Sequence, residues 1–595
     1  MTSTIKVDTI SENTSANGVA VDGVTLKDGA VGAAGTATSV AGIPFYRNDT
    51  SSIYTHDVSG TDDTAALNTA YGITALDAIT TGDNNTVVGS GAGSALNTGH
   101  RNTLMGQGAG NLLTTATHTI AIGNSAASGY DTETNNLAIG HVALGGSVAG
   151  GEYNVAIGNY SLDALTSGDD NVAIGYNAGT AISSGYNNTL IGKNAGQAIT
   201  TGARNTFVGY QAGDGFDGET HNVGVGENAL GGPIAGGEYN VAVGSNTLDA
   251  LTSGDNNTAV GYQAGTAVTT GGYNTFLGWE AGKTYTGTGD VNTAIGASAL
   301  QAMTTGTQNT ALGGNAGYSL TSGGDCVLIG HNAGDAITIG SQNIAVGQNA
   351  LGAAVVERRN VAIGNNALAA HRTTASTVND TGNTSVGFYA GAQITTGGGN
   401  TAIGQNALAT RLTTGSNNVG VGTGVNMNNS GNSNGIVIGH NIEGNENRVV
   451  FGKASNVIEN TFTSNANWAQ SSDQRLKTNI TDNDLGLDFI NEVPTKTYKW
   501  KASNDLDQDD PQLAKRYNAE NLMDTDVLMY GMMAQDVKDA IIKYNHPNFT
   551  GWSEDAYGVQ NISREMFIIP LIKAVQELSA QITTQQQEIN TLKGE

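Results

Sequence analysis

Basic residues are scarce in this chain: 25 of 595 are Lys or Arg against 52 Asp or Glu, a formal net charge of −27. Such a surface repels duplex nucleic acid and anionic membranes, so no nucleic-acid partner is expected. Cys326 is the single cysteine, which excludes an intrachain disulfide. Proline occurs only 6 times and no Gly-X-Y period is present, which excludes a collagen helix. Charged residues are 13% and aromatics 6% of the chain, whereas globular domains carry about 25% charge, so the length does not read as three or four compact globules. No apolar run reaches the ~20 residues of a membrane span. The start, MTSTIKVDTI, lacks the basic head and apolar centre of a secretion signal.

What the chain has is glycine, 85 residues of it, and repetition. NVAIGYNAG at Asn171, NTLIGKNAG at Asn188, NTFVGYQAG at Asn205 and NTAVGYQAG at Asn257 are variants of one unit. Its glycine can be followed from Gly72 to Gly452 in steps of 17 or 18, with a step of 23 between Gly364 and Gly387 and one of 13 at the end. A block of 86 residues recurs as well: ALGGSVAGGEYNVAIG from Ala143 returns as ALGGPIAGGEYNVAVG from Ala229. Before the glycine nearly always stands Val, Ile, Leu or Met, and two residues earlier Thr, Val, Ile or Leu. The period of 2 puts these positions on one face of a short strand. The glycine serves a bend or a close backbone approach, and the Ala three residues on (Ala178, Ala195, Ala264) lets coils stack tightly. The Asn opening most repeats is placed to form a ladder. LTSGDN and ITTGAR read as turns. One unit cannot bury a core and stacked units can, so the fold class is mainly β: a Gly-rich β-solenoid or β-roll over residues 66–455. The alternative, disordered low complexity, does not account for aliphatic positions held in register over hundreds of residues.

The NVAIG pattern with its Gly and Ala spacing resembles the head repeats of trimeric autotransporter adhesins. That resemblance implies a β-roll three chains wide, although the adhesin repeat is shorter. VAVDGVTLKDGAVG, Val19 to Gly32, resembles the N-terminal segments of phage tail fibres, which implies that residues 1–65 attach to a tail or baseplate protein of the virion.

Past about Lys453 the glycine period stops, and Lys, Arg, Trp and Met become common. Residues 456–471 read as a linker and 472–595 as a separate, mainly α-helical domain. DLGLDFINEV (Asp484–Val493) and MMAQDVKDAIIKY (Met532–Tyr544) have helical spacing. Ile568, Leu571, Val575, Leu578, Ile582, Gln585, Ile589 and Leu592 alternate steps of three and four, the seam of a coiled coil with one polar position. A single amphipathic helix packed on its own domain is the alternative. SSDQRLKTNI (Ser471–Ile480), YKW (Tyr498–Trp500), YGMMAQDV (Tyr530–Val537) and IPLIKAVQEL (Ile569–Leu578) follow in order. Together they resemble the endosialidase-type intramolecular chaperone domain at the C-terminus of phage tailspikes and fibres. The resemblance implies a homotrimeric domain that aligns three chains, folds the β-structured part and cuts itself off. It implies a serine–lysine pair, Ser472 and Lys477, supported by Asp473 and Arg475 and cutting between Ser471 and Ser472. Chemically, a serine hydroxyl needs a base, and a lysine serves as one when burial or nearby positive charge lowers its pKa. Ser472 and Asp473 capping a helix is the bland alternative.

Elsewhere the signals are weaker. The residue after the repeat glycine is aromatic in five coils (Tyr176, Tyr210, Tyr262, Trp279 and Phe388), where stacking on a host glycan is weighed against scattered surface aromatics. A glycosidase needs two carboxylates across a bond, and the acidic residues here lie mostly in turns such as TSGDDN (Thr166–Asn171). GSGAG (Gly89–Gly93) lacks the Lys of a phosphate loop, the Asp/Asn-rich turns match no Ca²⁺ loop, and His331 and His440 are not placed as ligands. No metal and no cofactor is expected. The reading that results is a virion tail fibre that binds a host-surface glycan or protein receptor and is assembled in the host cytoplasm. A tailspike depolymerase and a bacterial adhesin are the alternatives; the missing secretion signal counts against the adhesin.

Overall fold

In the computed structural model, the described residues are 64–594 except 147–149, 233–235, 289–290, 374–378, 455, 462–468, 471–473, 475–477, 515–516, 518, 520–524 and 556–557, together with 19–21, 24–26, 38–40, 43–45 and 52–55. The chain divides into two compact units, Met1–Ser471 and Ser472–Glu595. Among the described residues no helix is long and apolar enough to cross a membrane.

The first unit is a β-solenoid with one short strand per coil. From Thr69–Tyr71 onward each strand pairs in parallel with the strand of the next coil, without a slip of register: Val172 lies opposite Thr189, Ala173 opposite Leu190 and Ile174 opposite Ile191. The ladder runs as an open stack to Arg448–Lys453, where Asn456–Thr461 turns back antiparallel. That reversal covers the final strand's free edge, which would otherwise offer unpaired backbone groups to other chains.

Inside the coil three columns of small or aliphatic side chains are fully buried. One is the middle residue of the strand (Ala156, Ala173, Leu190, Phe207), one is the predicted Ala (Ala178, Ala195, Ala264), and one lies four residues after that Ala (Ile182, Ile199, Phe216, Val268). Volumes compensate between coils: Phe207 sits opposite Gly224, where a Cβ would come within 2.9 Å of its ring. The core is thus closed within one chain. The two aliphatic positions that flank the middle residue do share a face, as their spacing requires, and that face is the outer one; Val172 and Ile174 are half-exposed around buried Ala173.

The repeat glycine is required twice over. Gly192 has φ +139°, and a Cβ on it would lie 2.2 Å from the carbonyl oxygen of Gly209 in the next coil. Two residues on, Asn194 and its equivalents Asn177 and Gln211 also hold positive φ, near +55 to +60°, a region that Asn tolerates better than most side chains.

The asparagine ladder is present and buried. The Asn188 N–H donates to Asn171 Oδ1 at 3.1 Å and its Nδ2 to the same oxygen at 3.0 Å, while Nδ2 also donates to the Gly202 carbonyl at 2.9 Å. The Asn205 N–H then donates to Asn188 Oδ1 at 3.0 Å. Every polar atom of the side chain is satisfied without water, which is what lets it sit at 0% exposure.

Among its described residues the second unit has three α-helices, α1 (Leu487–Glu492), α2 (Ala534–Lys543) and α3 (Ile568–Lys593), the first two close to their expected spans. It adds two antiparallel strand pairs, Lys496–Tyr498 with Met529–Gly531 and Trp552–Glu554 with Gln560–Ile562. Its core gathers Leu485, Phe489, Val493, Val537, Ile541 and Phe567. Phe489 stacks on Phe567 with ring centroids 6.2 Å apart and meets Phe549 edge-on at 5.5 Å.

Candidate functional site

Ser471, Ser472, Asp473, Arg475 and Lys477 lie outside the described residues. Around them, Gln474 and Thr478–Ile480 are exposed, and the division into two units falls between Ser471 and Ser472.

Downstream, the second unit anchors the beginning of α3 and leaves the rest of it uncovered by the described residues of this chain. Pro570 and Ala574 are buried. The Leu487 N–H, at the start of α1, donates to Glu577 Oε2 at 2.7 Å, so a carboxylate from α3 satisfies a free N–H and faces the positive end of α1. Gly486 makes this possible, since a Cβ there would lie 2.2 Å from the same oxygen. The seam residues Ile568, Leu571, Val575, Leu578, Ile582, Gln585, Ile589 and Leu592 are all exposed, Val575 to 65% and Leu592 to 87%. A helix packed on its own domain would bury that stripe; this one does not.

Two of the sequence motifs meet in space. Tyr498, Lys499 and Trp500 of the first and Met532, Met533, Ala534 and Gln535 of the second line one cleft of about 490 Å³ with Gln560 and Arg564. Arg564 Nη2 donates to the Tyr498 hydroxyl at 3.3 Å, and the rings of Tyr498 and Trp500 meet edge-on at 5.7 Å.

On the array, Tyr176, Tyr210, Tyr262, Trp279 and Phe388 are all about half-exposed. Tyr176 and Tyr210 stand two coils apart with Lys193 between them in the same slot, its ammonium 5.7 Å from the centre of the Tyr210 ring. The cluster extends upstream through the next position of the coil: Tyr160, one residue past the slot held by Asn159, meets Tyr176 edge-on at 6.0 Å, and His141, back in the slot, meets Tyr160 at 5.2 Å. Tyr262 and Trp279 occupy neighbouring coils, and Phe388, several coils further on, pairs with Tyr389 at 4.5 Å. A second column escaped the sequence reading. It is the residue before the ladder Asn, where His221 stacks on Tyr239 at 4.9 Å, and Arg204 of the same slot lies 5.2 Å over the Tyr186 ring. Its signal was present in Tyr153, Tyr239 and Tyr273, each directly before an Asn.

Two sets of partly or fully buried carboxylates stand apart from the exposed ones. Glu133, Glu219 and Glu357 are buried three residues before a ladder Asn. Each accepts backbone N–H groups of its own turn and one from the next coil: Gly150 to Glu133 at 2.9 Å, Gly236 to Glu219 at 2.8 Å, and Thr373 to Glu357. These are structural ties, spent on backbone. Asp214 and Asp249 differ. They share one slot two coils apart, burial raises the pKa of both, and the charge of Asp249 raises that of Asp214 further. Asp335, in the same slot of a later coil, likewise has its pKa raised by burial. Among the described residues, no group of three or more His, Cys, Asp or Glu is arranged to hold a metal ion.

No curated protein and no solved structure matched this chain. Residues 472–545 do match the family model described as chaperone of endosialidase, which begins at the serine after the interunit boundary and ends just past α2, so the chain carries a chaperone-of-endosialidase domain behind a long β-solenoid.

Proposed function

We propose that this chain is a tail-fibre protein of a virion: residues 1–65 attach to a tail or baseplate protein, the solenoid reaches and binds the host surface, and the C-terminal domain aligns three chains and then releases itself. The observation that carries this is the chaperone-of-endosialidase match starting at Ser472, immediately behind a solenoid of near-identical coils. The open seam on α3 supports it, because only other helices of the same kind fit a stripe of steps of three and four. Release proceeds in cis. The Ser472 hydroxyl adds to the Ser471 carbonyl while Lys477, neutral, takes the hydroxyl proton. The C–N bond breaks, the proton passes to the departing Ser472 nitrogen, and water then hydrolyses the Ser471 ester. Arg475, two positions before Lys477 in the sequence, supplies positive charge that favours the neutral amine. Losing the aligner leaves the assembled fibre without its route back to separate chains, a kinetic trap.

Intact mass and N-terminal sequencing of the purified protein test this, beside Ser472→Ala and Lys477→Ala. A fragment beginning Ser472-Asp473-Gln474 that both substitutions abolish is the expected result. Full-length chain in all three overturns release. The aromatic cluster from His141 to Tyr210 is the surface assigned to a host glycan, with Tyr176→Ala and Tyr210→Ala reducing binding to host cells. A second reading, a depolymerase, is favoured by Asp214 and Asp249, whose raised pKa values suit a general acid. Shortening of purified host polysaccharide that Asp214→Asn and Asp249→Asn abolish would establish it.

A further inference from the structure

The outer face of the strand ladder is a second surface that the described residues of this chain leave uncovered. In 23 consecutive coils, from Thr69–Tyr71 to Arg448–Lys453, each strand carries two side chains that flank the buried middle one, and all of them are partly or fully exposed except Val449 of the last coil. The first is Thr, Val, Ile or Leu throughout. The second is Val, Ile or Leu apart from Tyr71, Met105 and Phe451. None is charged, in a chain of net charge −27. The second column is partly or fully exposed in every coil and buried in none, with Ile191 at 36% and Ile403 at 41%. At about 4.8 Å per coil the stripe is ~105 Å long, and three residues of strand make it ~10 Å wide. That is on the order of 1,000 Å² of apolar face, beyond the few hundred Å² a soluble monomer normally exposes and comparable with the ~800 Å² per partner of a stable interface.

We infer that this stripe is the interface between copies of the chain, three sheet faces turned toward a common axis, parallel and in register. The inference rests on the three-chain reading above and deepens it. Length and period select the occupant. A partner must offer apolar groups every ~4.8 Å over ~105 Å, and a second copy of the same stripe does so. Charge selects the face, since carboxylates elsewhere repel another copy while this stripe carries none. The uniformity of the columns also means that one-coil slips between chains lose little contact, which is why alignment has to come from elsewhere in the chain.

The test uses single cysteines in the full chain. Cys326 can stay, because it is fully buried and burial pushes its thiol up to about 11, out of reach of maleimides in the folded protein. Ile191→Cys places a thiol on the stripe. Ser184→Cys, exposed in the turn after Ile182, places one off it. Each variant is treated with a short bismaleimide and its native mass measured by light scattering. Covalent dimers from Ile191→Cys and none from Ser184→Cys is the expected result. The reverse pattern in a protein of threefold mass overturns this face and leaves the three-chain reading standing. A protein of single-chain mass overturns both. Ile403→Cys, in a distant coil, repeats the measurement should Ile191→Cys fail to fold.

Discussion

In the array, Asn188 reaches Asn171 and is reached by Asn205, each 17 residues away, and the same is true coil after coil. In the C-terminal unit, Glu577 caps Leu487 across 90 residues, and Arg564 meets Tyr498 across 66. The array is wired to its neighbours only, so its stability is a sum over coils and folding can propagate from any of them. For the same reason nothing in one coil specifies which coil of another chain it should meet. The C-terminal unit is wired at long range, has a unique core, and presents one seam of unique register. On the proposed three-chain reading, regular structure and the information that aligns it lie in different parts of the chain, and the aligning part need act only once.

The strongest way to break that division is to spoil the seam and leave the unit's own core intact. Leu578→Asp with Ile582→Asp puts two charges on the stripe while Phe489 and its neighbours keep their packing. If the proposed three-chain assembly holds, its complete loss is expected, seen as a threefold fall in mass by light scattering. Retention of that mass would mean that the array aligns itself. Next in size is Gly192→Ala, with a Cβ 2.2 Å from backbone and φ +139°. About 3 kcal/mol or more of stability is expected to be lost, read from urea unfolding. Gly314→Ala, whose Cβ would meet nothing closer than 3.5 Å, is the array's own control and should change stability by less than about 0.5 kcal/mol.

The glycine period, the small Ala and the Asn ladder were legible because each is a repeated demand that one residue type meets best. The side of the strand was not. A period of 2 says that Val172 and Ile174 share a face, and their size draws the eye to them, yet the core column is the modest one between: Ala156, Ala173, Leu190, Phe207, Gly224. That column is variable because coils compensate one another's volume, a relation between residues 17 apart that reading one repeat at a time does not reveal. The positive φ of Asn177, Asn194 and Gln211 was visible as a preference for amides without its reason. Glu133, Glu219 and Glu357 read as turn carboxylates, since a side chain that bonds to the backbone of the next coil leaves no pattern within its own. In the C-terminal unit the helices were legible from spacing, while the strand pairs are too short to alternate visibly. The processing residues rest on their family motif, being outside the described residues.

A smaller effect separates tied from untied coils by pH. Glu357 is buried and accepts from Val355, Val356 and Thr373; burial would raise its pKa, but these bonds outweigh it and the net shift is downward from 4.5. Beside it His371 is buried, and desolvation lowers its pKa from 6.5 against the opposing charge of Glu357. In both the unfolded chain binds the proton more tightly, so the contribution to stability is complete above the unfolded pKa and is lost as pH falls through the folded one. Coils near Glu357 should therefore begin to loosen below about pH 6.5, from His371, and loosen further below about 4.5, from Glu357. The exposed pair Arg359–Asp380 nearby adds little. Glu357→Gln should cost about 2 kcal/mol at neutral pH and flatten the lower step. Hydrogen exchange across residues 355–400 at pH 7, 5.5 and 4 reads both; identical protection at all three pH values would remove the tie from the account.

The smallest effect is a gain. Thr119 stands in the Asn ladder: its N–H donates to Asn102 Oδ1 at 2.9 Å, and its hydroxyl is buried with no partner among the described residues. Asn in its place would offer Nδ2 to the Glu133 carbonyl, 14 residues on as Asn102 does to Ala116, and Oδ1 to the Asn136 N–H. Two bonds made where a buried hydroxyl had none, against the strain of a slightly larger side chain, should raise stability by about 0.5–1.5 kcal/mol. Urea unfolding of Thr119→Asn beside wild type measures it. Cys326→Asn, the equivalent change at another interrupted rung, should act in the same direction by less, because the Cys326 sulfur already lies 3.5 Å from the Gly324 and Gly340 carbonyls. If neither substitution stabilises, the ladder's value lies in excluding other registers rather than in the energy of each rung, and the array would owe its stability to the apolar columns alone.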